Sequence, residues 1–210
     1  MSQFAFDGPD PDHQHYEDDR EYVVYINGYG APRSPVTDPA CGRYLGAVFQ
    51  ELDQLEAPVR RIWLCGGVTN NPDLSEAAAM RAWIETHKPH WFTRVRLIED
   101  TTTLQTNLEA FTAKYAVSSG DFHFLFFGEE SRRWKMWFHV VRLFGIDTST
   151  HVIGIPFDKR SLEWKQLCKE RLVAFPLEVA ATFFPRSAGW LRRYLRERHV
   201  RKERERLAKS

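Results

Sequence analysis

Tyr22-Val23-Val24-Tyr25-Ile26 is a β-branched and aromatic run, closed by Asn27-Gly28-Tyr29-Gly30. A short apolar run bounded by turn residues reads as a buried strand. The unit recurs four times. Arg61-Ile62-Trp63-Leu64-Cys65 ends at Gly66-Gly67, and Arg94-Val95-Arg96-Leu97-Ile98 ends at Glu99-Asp100. Phe122-His123-Phe124-Leu125-Phe126-Phe127 ends at Gly128-Glu129, and His151-Val152-Ile153-Gly154-Ile155 ends at Pro156.

Between these runs the apolar residues recur at a helical period. Leu45, Val48, Phe49, Leu52 and Leu55 share one helical face. So do Ala77, Met80 and Ile84, and so do Leu104, Leu108, Phe111 and Tyr115. Trp134, Trp137, Phe138, Val141 and Phe144 form a fourth face, with Gly145 as the stop. Strands alternating with helices predict an α/β fold: a mainly parallel sheet of about five strands, covered on both faces. After Pro156 the pattern is helical. Leu162 to Ala174 and Pro176 to Phe184 are expected as two short helices.

Three segments follow along the chain. Residues 1–20, rich in Asp, Pro and His, read as a flexible acidic tail. Residues 21–185 form one α/β domain. Residues 186–210 read as a basic helix with Trp190 and Tyr194 interleaved.

Composition narrows the function class. A formal charge of +1 gives no global pull toward nucleic acid. Cys41, Cys65 and Cys168 are widely spaced and lack a CxxC, which argues against a disulfide framework or a structural zinc site. A reducing, cytoplasmic setting is the simpler expectation. No secretory signal opens the chain, and no apolar stretch is long enough to cross a bilayer. His13 and His15 sit among acids in the tail, where forming a metal site would cost ordering entropy, and His87, His90, His123, His139, His151 and His199 show no paired ligand spacing, so no metal site is expected.

In a parallel α/β sheet, ligands bind outside the carboxyl ends of the strands. Those ends carry the chemistry-bearing residues here. Gly28 and Gly30 follow the first strand, though no GxGxxG is present. Gly66 and Gly67 follow the second, and the next helix opens at Ser75-Glu76. A glycine turn with a helix amino terminus predicts free N–H groups suited to an anion. Glu99 ends a buried run and needs a partner there. Thr106 and Asn107 lie in the Thr-rich segment beyond it, which also reads as a helix cap. Glu130 and Arg133 follow the fourth strand, and Arg43 opens the first helix. An arginine at such an edge clamps phosphate or carboxylate with two parallel donors.

In order and spacing these residues resemble the YdcF/SanA/ElyC-like family, over roughly residues 22–157. The resemblance rests on Gly66-Gly67, on Ser75-Glu76-Ala77-Ala78-Ala79-Met80, and on Ile98-Glu99 with Thr106 and Glu109 nearby. It implies a three-layer α/β/α Rossmann-like fold and a bacterial protein whose family reaction is unsettled. Matched positions are Gly28, Arg43, Gly66, Gly67, Ser75, Glu76, Glu99, Thr106, Asn107 and Arg133. Cys65 stands where the family has Ser, and Glu130 where it has His.

The combined expectation is a phosphorylated or nucleotide-type small molecule at the strand ends. Glu76 and Glu99 would act as acid, base or hydroxyl ligands, and no cofactor is indicated. The alternative is a non-catalytic, envelope-related binding module. It would touch anionic membrane weakly through residues 187–210.

Overall fold

A computed structural model describes residues 20–28, 34–69, 73–101, 103–114, 122–145, 149–157 and 163–184. Residues 1–19 of the acidic tail, Gly30, Tyr115 and the basic segment from 186 onward lie outside these residues. Strand β1 (Glu21–Asn27) leads to α1 (Pro39–Leu52), β2 (Val59–Cys65), α2 (Glu76–His87) and β3 (Val95–Ile98). Next come α3 (Leu104–Lys114), β4 (Phe122–Glu129), α4 (Arg133–Phe144) and β5 (Thr150–Ile155).

The five strands form one sheet in the order β3-β2-β1-β4-β5, and every pairing is parallel. This is a doubly wound, Rossmann-like order; the alternating pattern predicts the parallel α/β class but leaves the strand order open. The chain first winds outward from β1 to β3. It then crosses back to β4, so the β1/β4 gap is the topological switch point.

Side-chain alternation along the strands divides the core in two. Val24, Ile26, Ile62 and Leu64 pack with α1 and α2 on one face. Val23, Tyr25, Trp63 and Phe126 pack with α3 and α4 on the other. Both faces of β1 are therefore apolar, which is why Tyr22–Ile26 reads as a continuous rather than an alternating run.

Local signals fix the helix starts. The Asp38 carboxyl accepts from the amides of Ala40 (2.9 Å) and Cys41 (2.8 Å), and Pro39 fills the first helical position of α1. The Ser75 hydroxyl accepts from the Ala78 amide at 2.9 Å and caps α2. Helix α4 stops at Gly145, whose φ of 82° favours glycine.

Two expectations change. Helix α4 buries Met136, His139 and Val140, while Trp134 and Trp137 face outward. The helix carries large residues on two sides, and the stripe containing a histidine is the one that meets the sheet side. The two short helices after Pro156 are one continuous helix. It comprises α5 (Trp164–Cys168), a π-helical stretch (Lys169–Ala174) and α6 (Phe175–Phe183). Pro176 lacks an N–H and its ring crowds the preceding turn. A wider π turn just before it keeps the chain helical where a break would be expected.

Candidate functional site

Asn27, the last residue of β1, is the hub of a buried polar network at the carboxyl edge. Its side-chain oxygen accepts from the Tyr25 hydroxyl and from the Asn107 amide, each at 2.9 Å. Its own amide donates to the Gly28 carbonyl at 2.7 Å. Its main-chain carbonyl accepts from the Tyr44 hydroxyl at 2.9 Å. The Thr101 hydroxyl donates to Asn107 in turn. These contacts tie β1, α1, the β3–α3 turn and α3 together at one point.

Glu76 is the buried acid of this edge, 8% exposed. Its carboxyl accepts from the Thr69 hydroxyl at 2.6 Å. The glycines around it make room for it. A Cβ on Gly28 would lie 2.4 Å from Glu76 Oε2, and a Cβ on Gly66 would lie 2.7 Å from the same atom. Gly66 also has a φ of 155°, which side chains disfavour. Gly67 instead permits close backbone approach. A Cβ there would sit 2.2 Å from the Thr101 carbonyl oxygen and 2.6 Å from that of Glu99.

The expected anion cradle at the start of α2 is already filled. The amides of Glu76 and Ala77 donate to the carbonyls of Gly67 (3.1 Å) and Gly66 (3.0 Å). Those of Ala78 and Ala79 donate to the side chain and the carbonyl of Ser75, each at 2.9 Å. The amides of Glu76, Ala77 and Ala78, the first three of the helix proper, thus have partners within the protein, and Ala79 makes the first regular helical bond. Gly66's own amide donates to the Ile98 carbonyl at 3.0 Å. Gly66 and Gly67 shape the site without offering the helix start to a ligand.

Glu99 does not end up buried, as its place after an apolar run suggests. It is exposed, and its carboxyl accepts from the Ser75 hydroxyl at 2.5 Å. Thr106 belongs to a reciprocal cap. The Thr103 amide donates to the Thr106 hydroxyl oxygen and the Thr106 amide to that of Thr103, both at 3.2 Å. Of the Thr-rich segment, Asn107 and Thr101 are the members that reach the network.

The second half of the edge lies at the ends of β4 and β5. Glu129, 2% exposed, accepts from the amide of Ser131 at 3.0 Å and from its hydroxyl. Glu130 lies over β5, where a Cβ on Gly154 would collide with its carboxyl, and it pairs with Arg171 at 3.1 Å. Arg133 reaches the same glycine from α4. Arg43 is exposed as the fifth residue of α1, just past its first turn. Neither Arg43 nor Arg133 has an ion-pair partner among the described residues. They stand on helices of opposite layers, at the same edge of the sheet.

Burial holds the Tyr44 hydroxyl far above its ordinary range, and the nearby Glu129, Cys41 and Glu76 add to the effect. Tyr25 is raised for the same first reason, with Cys65 and Tyr44 next. Burial also raises the Cys65 thiol well above its usual value. Burial and then Asp38 push Cys41 up to about 12. Neither thiol is a thiolate near neutral pH, so neither is an activated nucleophile.

The structure therefore brings Gly28, Gly66, Gly67, Ser75, Glu76, Glu99 and Asn107 to one cluster, and Glu130 with Arg133 to a neighbouring one. The sequence reading omits Asn27, Tyr44, Thr101, Glu129 and Ser131. Asn27 carried a usable signal, because a polar residue ending a buried strand must find partners. Among the described residues no group of three or more His, Cys, Asp or Glu is placed to hold a metal ion.

The site and sheet order define a Rossmann-like α/β protein with a polar centre at its switch point. Set against family profiles, curated proteins and solved structures, the chain matches none.

Proposed function

We infer that this is a YdcF-like protein that binds a phosphorylated or nucleotide-type small molecule over the carboxyl ends of β1, β2 and β4. The supporting observation is the Asn27 network with Glu76 and Glu129 at the switch point. Buried polar groups of this density contribute less to stability than apolar packing of equal volume. A ligand role accounts for their concentration at one edge. Carboxyl groups recognise hydroxyls by accepting from them, so Glu76 and Glu99 suit the ribose or sugar portion. With the α2 amides engaged, a phosphate falls to the guanidinium groups of Arg43 and Arg133, one from each layer. If the protein is catalytic, Glu76 and Glu99 are the acid–base pair, since one is buried and the other exposed. The bacterial, cytoplasmic setting belongs to the same reading.

A thermal-shift panel of nucleotides, S-adenosyl compounds and sugar phosphates tests it. A ligand at one hundred times its Kd adds about 2.7 kcal/mol, an upward shift of about 5–10 °C for a chain of this size. Arg43→Ala and Glu76→Gln should each remove the shift. No stabilising compound, or a shift unaltered in both variants, defeats the proposal.

The second reading is a non-catalytic, envelope-related module that touches anionic membrane weakly through residues 187–210. It is favoured by Glu130, which stands at the position of the family's His and is engaged by Arg171.

A further inference from the structure

The helix from Trp164 to Phe183 is amphipathic in the inverted sense. Glu170, Arg171 and Glu178 face the protein. Glu178 accepts from His139 Nε2 at 3.0 Å and pairs with Lys135 on α4. Arg171 reaches Glu130 and lies over the Trp134 ring at 5.6 Å. Glu170 is buried. The outward stripe is apolar: Leu172, Val173, Pro176, Leu177 and Ala180 are all exposed, and Phe183 and Phe184 complete it. Leu172 is 71% exposed and Phe183 67%. From Leu172 to Phe184 the one charged residue is Glu178, and it is turned inward. Water is a poor partner for such a face.

Its surroundings point to one occupant. Lys165 and Lys169 are exposed at the amino-terminal end of the stripe, and exposed tryptophans rim it: Trp164 on the same helix, Trp134 and Trp137 on α4. Phe184 leads into residues 186–210, which hold ten Lys or Arg against Glu197, Glu203 and Glu205, a surplus of seven positive charges. An apolar helix face with tryptophans at its margin and lysines beside it is the pattern of an interfacial membrane helix. A second copy of the chain would bring two such positive segments together, whereas anionic headgroups neutralise them.

We propose that the Leu172–Phe184 face docks onto an anionic lipid surface, its apolar stripe entering the acyl boundary while the basic residues meet the headgroups. The element that enters the bilayer is thus the helix face, not residues 187–210 alone. The proposal deepens the second reading above and is independent of the ligand site. Among the described residues no helix is long and apolar enough to cross a membrane, so the contact is interfacial.

The test uses the full chain with vesicles of phosphatidylcholine, alone or with about 30% phosphatidylglycerol. Wild type should sediment with the anionic vesicles at least about tenfold more than with the neutral ones. Its tryptophan emission should be quenched by lipids brominated along the acyl chain. L172D/F183D, changed at two exposed positions, should keep its melting temperature and lose binding by about tenfold or more. Binding equal to wild type in L172D/F183D, or wild-type binding without acyl-chain quenching, overturns the helix-face proposal and leaves the contact to residues 187–210. No wild-type binding to either vesicle overturns both. A wild-type dimer by light scattering that L172D/F183D dissolves, with no vesicle binding, assigns the face to self-association and also overturns the proposal. If L172D/F183D does not fold, acyl-chain quenching in W190F, which removes the tryptophan of residues 187–210, decides: its loss overturns the helix-face proposal.

Discussion

Glu178→Gln should loosen the Trp164–Phe183 helix from α4 in a pH-dependent manner. Burial alone would raise the Glu178 carboxyl. The His139 hydrogen bond and the Lys135 ammonium outweigh it and hold the group down to about 2, from an ordinary 4.5. A carboxyl lowered by that interval stabilises the folded chain by about 3 kcal/mol at neutral pH. Its remaining solvent contact reduces this to about 2 kcal/mol. The sign follows from proton counting. Near pH 3 the unfolded chain binds a proton at Glu178 and the folded chain does not. The contribution is therefore fully present above about 4.5 and is lost as pH falls toward about 2. Urea unfolding at pH 7 should show Glu178→Gln about 2 kcal/mol less stable than wild type, and the gap should shrink steadily below about 4.5. His139 is fully buried, so its ring would also lose its partner. A gap under about 0.5 kcal/mol at pH 7, or one that does not change with pH, would refute this account of how the helix is held.

Three further outcomes are expected. Gly67→Ala should cost about 2–4 kcal/mol in urea unfolding, because the new Cβ meets two backbone carbonyl oxygens that cannot rotate away. Asn27→Ala should cost about 2–3 kcal/mol, since the Tyr25 hydroxyl and the Asn107 amide both lose their acceptor; a change under 1 kcal/mol would mean that the network is not closed at Asn27. Iodoacetamide at mild alkaline pH should label Cys168 readily and leave Cys41 and Cys65 unmodified until denaturant is added, as mass spectrometry would read directly.

Much of the fold could be read before any coordinates, because each β-strand is a short apolar run and each intervening helix repeats at its own period. Tyr22–Ile26 could be assigned safely, being buried on both faces. Helix α4 could not. Trp134 and Trp137 outweigh Met136, His139 and Val140 in any count of apolar bulk, yet the second set is buried. The reason lies in α6, which supplies Glu178 to His139 and leaves the tryptophans at the rim. Pro176 misled in a similar way, since a π turn is a backbone adjustment that residue types do not announce. At the site, residue chemistry was legible and hydrogen-bond occupancy was not. Ser75-Glu76 marks a helix start with free amides in principle. Whether Gly66 and Gly67 turn their carbonyls onto those amides is a matter of tertiary geometry. Asn27 was passed over because its partners Tyr44 and Asn107 come from two distant helices.

The central claim is that the carboxyl edge of the sheet is a ligand site. Amide chemical-shift mapping during titration with the best compound from the thermal-shift panel tests it most directly. The account predicts shifts concentrated at Gly28, Gly66, Gly67, Arg43 and Asn107, with the amino-terminal strand ends at Glu21, Val59, Phe122 and Thr150 unchanged. Shifts centred on those amino-terminal ends, or scattered without a focus, would contradict it.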